Sequence, residues 1–325
     1  MYMKRSYIAS VDIGGTKALL GLVDEEGNVQ ARERYLLGKT REPIQIAKEI
    51  GGRLRMLAKQ AGIDWGMIRG LGCSAAIQGD VDNGIIFSAP NLFGEIRNVP
   101  FSKYLVDVTG LPTVLEMDAY AAALGEAWKG TGIGVDYFVY VVIGTGIGAG
   151  ILMNAEVYRG WLGTAGEFGH TTIDPNGPIC NCGRYGCLEA LVSGPAIALR
   201  AQGVILQGRK TIIQELSGGI QPTAQVVFHA ARAGDGVAQE IVQRTVEYLA
   251  IGLVNLIHLL NPQVISLGGG VAYGGSDLIL VPLIEEVTRR CGNWIDMAGT
   301  RIVIGTLGED AGILGAAFQV MKKIR

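Results

Sequence analysis

The chain has 325 residues, a net charge of -2, 49% hydrophobic and 18% charged residues. That is enough apolar material for about two domains with sizeable cores. The Lys and Arg residues are scattered, so neither charge nor clustering makes a nucleic-acid surface. An apolar run begins at Tyr7, which leaves no room for a secretory leader. Residues 245–260 are interrupted by Glu247, Asn255 and His258 and fall short of the roughly 18 apolar residues of a membrane span. A cytoplasmic protein with neither a nucleic-acid nor a membrane partner is expected. Glycine is the outlier, 49 against 10 prolines. Its short clusters between apolar runs mark tight turns where backbone approaches something closely.

Taken along the chain, residues 9–23 read as a strand, a Gly/Thr turn and a second strand. A turn at 24–28 then leads to a third strand, an antiparallel meander. Asp12 stands at the first strand's end, followed by Gly14, Gly15, Thr16 and Lys17. Bare backbone N–H groups, a hydroxyl and an ammonium can hold phosphate oxygens there while Asp12 reaches a hydrated Mg²⁺. No GxxxxGK[ST] loop occurs in the chain, and by itself the turn is equally an ordinary hairpin. Ile46, Ile50, Leu54 and Leu57 predict a helix over 43–61, and 68–73 reads as a strand. Asp118 follows the strand 112–115 and opens the helix 119–129. It is either a helix cap or a general base facing a cleft.

Residues 139–153 repeat the opening design around Gly144, Thr145, Gly146 and Gly148. Gly144, Gly146 and Ala149 also match the loose dinucleotide pattern GxGxxG/A, but residues 149–153 read as a strand where that pattern requires a helix. The longest helix is expected over about 237–260, stopped by Asn261 and Pro262. A strand at 263–267 follows, and Gly268, Gly269 and Gly270 lead toward a helix at 276–290. Gly-rich turns at helix openings favour anions. A meander plus βα units, given twice, implies two α/β lobes with a central cleft. Three such turns are best explained by one nucleotide. The lobes are expected at 1–117, with a helix at about 310–325 packing back on it, and at 118–309.

Three of the five cysteines fall at Cys180, Cys182 and Cys187, and one of three histidines at His170. Gly183 and Gly186 let the backbone fold so that three thiolates and an imidazole meet at a tetrahedral centre. Four ligands leave no open position, so a structural zinc ion in an insert at 170–187 is expected. Cys73, Cys291, His229 and His258 read as ordinary packing residues.

Together the segments Asp12 to Lys17, Asp118-Ala119, Gly144 to Gly148, Glu167-Phe168-Gly169-His170 and the 180–189 CxCGxxGCxE motif resemble the ROK family of sugar kinases and related repressors over nearly the whole chain. The resemblance implies the two-lobed actin/hexokinase-like (ribonuclease H-like) ATPase fold. It implies ATP-dependent phosphorylation of a hexose with Mg²⁺, glucokinase-type, with Asp118 as catalytic base. Glu167, His170 and Glu189 map onto the sugar-binding set, and Asn91 and Asp118 are counted with them. His170 would then share its two ring nitrogens between zinc and sugar. A homodimer or homotetramer is expected because family members commonly form one. Two departures stand out: Met117 where the family carries an asparagine that bonds the sugar, and the loop at 75–82. Glucose is therefore the default, and an N-acetylated or deoxy sugar, another hexose or a cyclitol would also suit. A sugar-sensing regulator and a catalytically impaired sugar-binding protein are the alternatives. Family repressors carry an N-terminal DNA-binding domain, whereas the first strand here begins by about Tyr7.

Overall fold

The computed structural model describes residues 6–324, which divide into two compact units. The first takes in the chain up to Gly134, Val157–Ala165 and the chain from Glu309 onward. Its strands are β1 (Tyr7–Ile13), β2 (Lys17–Asp24), β3 (Val29–Leu36), β4 (Ile68–Ala75), β5 (Gln78–Asp80), β6 (Ile85–Ser88) and β7 (Thr113–Met117). Five of them form a sheet in the order β3-β2-β1-β4-β7. β1, β2 and β3 are antiparallel, whereas β4 pairs in parallel with β1 and β7. The edge strand β3 alternates in burial while β4 is buried almost throughout, as edge and central positions require. The helices are α1 (Pro43–Gln60), α2 (Pro90–Phe93), α3 (Phe101–Thr109) and α4 (Asp118–Lys129). α1 starts with Pro43 in its first turn and buries Ile46, Ile50, Leu54 and Leu57, the face its spacing predicts.

The C-terminal helix Asp310–Ile324 lies in this first unit, against α4. The two backbones meet through a seam of small residues. A Cβ on Gly315 would lie 1.6 Å from the Ala121 carbonyl oxygen, and one on Gly125 2.2 Å from that of Ala311. The expected boundary at 117/118 therefore falls inside this unit, at the junction of β7 and α4.

The second unit comprises Val135–Glu156 and Gly166–Gly308. Its strands are β8 (Phe138–Ile143), β9 (Ile147–Met153), β10 (Glu156–Val157), β11 (Val264–Gly268) and β12 (Arg301–Ile304), in the order β10-β9-β8-β11-β12. That repeats the first sheet's plan, a meander followed by parallel strands. Both units thus carry the mixed sheet of the actin/hexokinase-like ATPase fold. β9 is a strand directly after the Gly144–Gly148 turn, so the dinucleotide alternative lacks the helix it needs. The helices are α5 (Leu188–Val192), α6 (Gly194–Leu206), α7 (Ile213–Leu216), α8 (Ala224–Arg232), α9 (Gly236–Leu260), α10 (Gly269–Gly274) and α11 (Ser276–Cys291). α9 is capped by Asp235, whose carboxylate accepts from the Ala238 N–H at 2.8 Å, and ends on Asn261 at φ 43°. Ile241, Val246, Leu249, Leu253 and Leu256 carry its buried face. Each unit has its own apolar core. Among the described residues no helix is long and apolar enough to cross a membrane.

Candidate active site and metal centre

In the first unit β1 delivers Asp12 beside β4, where Ser74, its register partner, donates its hydroxyl to Asp12 Oδ1 at 2.6 Å. The C-terminal helix closes the other side, since a Cβ on Gly312 would stand 2.7 Å from Asp12 Cγ. Burial pushes the Asp12 carboxyl up to about 6 against the pull of the Ser74 hydroxyl, and the charge of Asp118 adds to the rise. Asp118 is the first residue of α4. The cap position belongs to Met117 and has no side-chain bond, while Asp118 Oδ1 accepts from the neighbouring Ala119 N–H at 2.8 Å. Burial raises its carboxyl too. The two desolvated carboxylates are therefore close enough for the charge of one to act on the other, and each keeps lone pairs available to a cation or a proton.

The Gly14–Lys17 turn is closed by a Gly14 N–H to Lys17 carbonyl bond of 2.9 Å. Asn91, on α2, lies against it, because a Cβ on Gly15 would be 3.2 Å from Asn91 Cβ. Thr16 is exposed. Lys17 is exposed as well, and its ammonium stands 3.2 Å from Glu309 Oε1, so part of its charge is already answered. Met117 is buried within the first unit's apolar core.

In the second unit Glu189, in the first turn of α5, reaches the other glycine turn and accepts from the Ile147 N–H at 3.0 Å. It passes directly over Gly146, where a Cβ would be 2.7 Å from Glu189 Oε2. Gly194 ties the start of α6 to the same turn by donating to the Gly144 carbonyl at 2.9 Å. The Gly268–Gly270 stretch abuts the end of β8, with a Cβ on Gly269 only 2.4 Å from the Ile143 carbonyl oxygen. Thr145 is exposed beside them and Gly148 opens β9 next to Ile147.

The thiols of Cys180, Cys182 and Cys187 and the His170 ring offer ligand atoms that all lie within 4.8 Å of one another. Cys182 and Cys187 sulfurs are 3.6 Å apart, and Cys180 Sγ is 3.7 Å from His170 Nδ1. A tetrahedron with ~2.3 Å zinc–sulfur bonds has S···S edges of about 3.8 Å, so this donor set fits zinc. Gly186, at φ 64°, makes the loop possible, because any side chain there would run into the Asp174 carbonyl. Burial pushes the Cys187 thiol up to about 12, while hydrogen bonds from Arg184 hold Cys182 down to about 6. All three can be thiolates together only around a cation. His170 turns its other nitrogen, Nε2, toward Glu167 Oε2 at 3.9 Å, and Glu189 Oε1 lies 3.8 Å from Cys180 Sγ. The metal loop and the three residues mapped to the sugar are thus physically continuous.

Sequence reading passed over Ser74 and a group next to Asp118: the buried Glu116 and Tyr120 with the half-buried Arg159. The available signal was a glutamate in the apolar strand Val114-Leu115-Glu116-Met117, where a carboxylate must find a partner.

Residues 8–323 match the ROK family. A glucokinase of Thermotoga maritima is 36% identical, with 99% of each chain covered. The crystal structure of a ROK family glucokinase from Streptomyces griseus in complex with glucose and AMPPNP superposes with a TM-score of 0.80 at 32% identity, covering 97% of this chain and 99% of that one. A ROK family transcriptional regulator gives a TM-score of 0.84 at 25% identity, covering 96% of this chain and 76% of the regulator's.

Proposed function

Because this chain belongs to the ROK family, we propose that it is an ATP-dependent kinase of a hexose or hexose-like sugar, of glucokinase type. The observation that carries this is the desolvated pair Asp12 and Asp118, at the ends of β1 and β7, the two strands that flank β4. Asp118 accepts the proton of a sugar hydroxyl while that oxygen attacks the γ-phosphate of ATP, and ADP leaves. Its raised affinity for a proton makes it a better base than an exposed carboxylate. Asp12 would hold Mg²⁺, which when bound neutralises charge on the transferring phosphates. The turns Gly14–Lys17, Gly144–Gly148 and Gly268–Gly270 are assigned to the nucleotide, with Lys17 contributing least because of Glu309. Asn91, Glu167, His170 and Glu189 are assigned to the sugar. His170, Cys180, Cys182 and Cys187 would hold zinc in a closed four-ligand site, which fixes the His170 ring so that Nε2 faces away from the metal. A cytoplasmic homodimer or homotetramer is proposed with this reading.

A coupled ADP-release assay across hexoses, amino sugars and inositols tests it. At least one sugar must drive turnover that depends on ATP and Mg²⁺. Buried Met117 offers no amide, so the preferred sugar is expected to need no partner at that point. The likeness to a transcriptional regulator favours a second reading, a sugar-sensing protein. Sequence-specific DNA binding in a gel-shift experiment, with no turnover on the panel, would establish that reading instead.

A further inference from the structure

We infer that Arg159 is a positioning residue for Asp118, the anchor of a strap that locks the base from both sides. This inference rests on the kinase reading. Glu116 lies two residues before Asp118 and is 1% exposed. Its carboxylate receives both Arg159 terminal nitrogens, at 2.7 and 2.5 Å. It also accepts from Gln319 Nε2 at 2.7 Å and from the Met117 N–H at 3.0 Å. Four donors on one buried carboxylate fix the last turn of strand before the base.

On the other side, Tyr120 lies two residues after Asp118 and is also buried. Its hydroxyl donates to the Ala165 carbonyl, and the Arg159 guanidinium sits 5.3 Å from its ring centroid. Both anchors therefore come from Val157–Ala165, a segment that joins the first unit although it is far from Asp118 in sequence. Among the described residues no hydrogen bond runs from the strap to the Asp118 carboxylate, which is left to the substrate. The strap's arginine acts by holding residues 116 and 120, and through them the Cα position and aim of Asp118. A displacement of about 1 Å at a reacting group costs on the order of 10²-fold in rate.

The test is steady-state kinetics of Arg159→Ala, Arg159→Lys and the double variant Glu116→Gln/Arg159→Gln, with low concentrations of guanidinium added to the alanine variant. The expected result is a fall in kcat of roughly 30-fold or more for Arg159→Ala, with the sugar KM within about threefold of the parent. Added guanidinium should recover part of kcat, and the lysine variant should lie between. Should the alanine variant not fold, the double variant decides by the same split, since it leaves no unpaired buried charge. A folded variant with kcat within about threefold of the parent overturns the inference, as does a loss carried by KM. If the parent itself phosphorylates no sugar, the kinase reading falls, and hydrogen exchange decides the strap separately. Faster exchange at 118–121 in the double variant supports it, and unchanged exchange overturns it.

Discussion

The two meander turns have the same backbone plan and opposite chemistry. In the first unit Asp12 sits on the strand before the glycines, opposite Leu19. In the second, Val142 holds that place, opposite Gly148. The first turn thus keeps its carboxylate on the sheet, half-buried and within reach of the Asp118 charge, where it can meet a cation. The second has an apolar strand end and takes its carboxylate from outside, from Glu189 on α5, bonded to the Ile147 N–H. On the proposed reading both turns of the duplicated scaffold serve the nucleotide, but only the first carries its own carboxylate, while the second is tied through Glu189 to the metal loop. Strand register alone would have made them equivalent.

Breaking the charged side should have the largest effect. Asp118→Asn is expected to lower kcat about 10³-fold with sugar affinity nearly intact; turnover within a few fold of the parent would remove Asp118 from the mechanism. On the metal side the effect is smaller. Cys187→Ser, or chelation, should lower Tm by several degrees and raise the sugar KM by roughly tenfold or more, read by metal content, melting and kinetics together. Unchanged sugar affinity in a folded, metal-free protein would make the loop a remote staple.

Asp12→Asn should cost about 10²-fold in kcat/KM. Because burial holds the Asp12 carboxyl at about 6, its anionic form is lost as pH falls through that value, and activity should fall with it. Stability runs the other way. Between about pH 4 and 6 the folded chain keeps a proton that the unfolded chain has released, so metal-free protein gains stability as pH falls through this window. Asp12→Asn should abolish that gain in pH-dependent melting, and an unchanged melting profile would contradict the assignment. The smallest effect is expected from Gly146→Ala, which pushes a methyl group into Glu189 Oε2. The sugar KM should rise about threefold while kcat and Tm hold; a matching loss in kcat would move Glu189 from sugar binding into the chemistry.

Much of this was legible in the sequence because it is local. Glycines between apolar runs gave both meanders, helical spacing gave α1 and α9, and cysteines within eight positions of one another gave the metal loop. What could not be read was the pairing of distant residues: Ser74 with Asp12, Glu189 with Ile147, Arg159 with Glu116. Each depends on register or on a strap crossing to another element, and no periodicity encodes that. The break between units at Gly134 was hidden for the same reason. α4 looks like the start of a new lobe until the small-residue seam with the C-terminal helix is seen.

That seam has a consequence for the order in which the molecule is made. The first unit is discontinuous, and the helix that faces α4 and closes over Asp12 is drawn from the far end of the chain. During synthesis α4 and Asp12 emerge early yet lack their covering surface until Glu309 and the residues after it leave the ribosome. All of the second unit has been made by then. The proposed base and the proposed cation-binding carboxylate are consequently enclosed last, so a nascent chain stalled before Glu309 carries the cysteine loop but lacks the surface that covers Asp12 and α4.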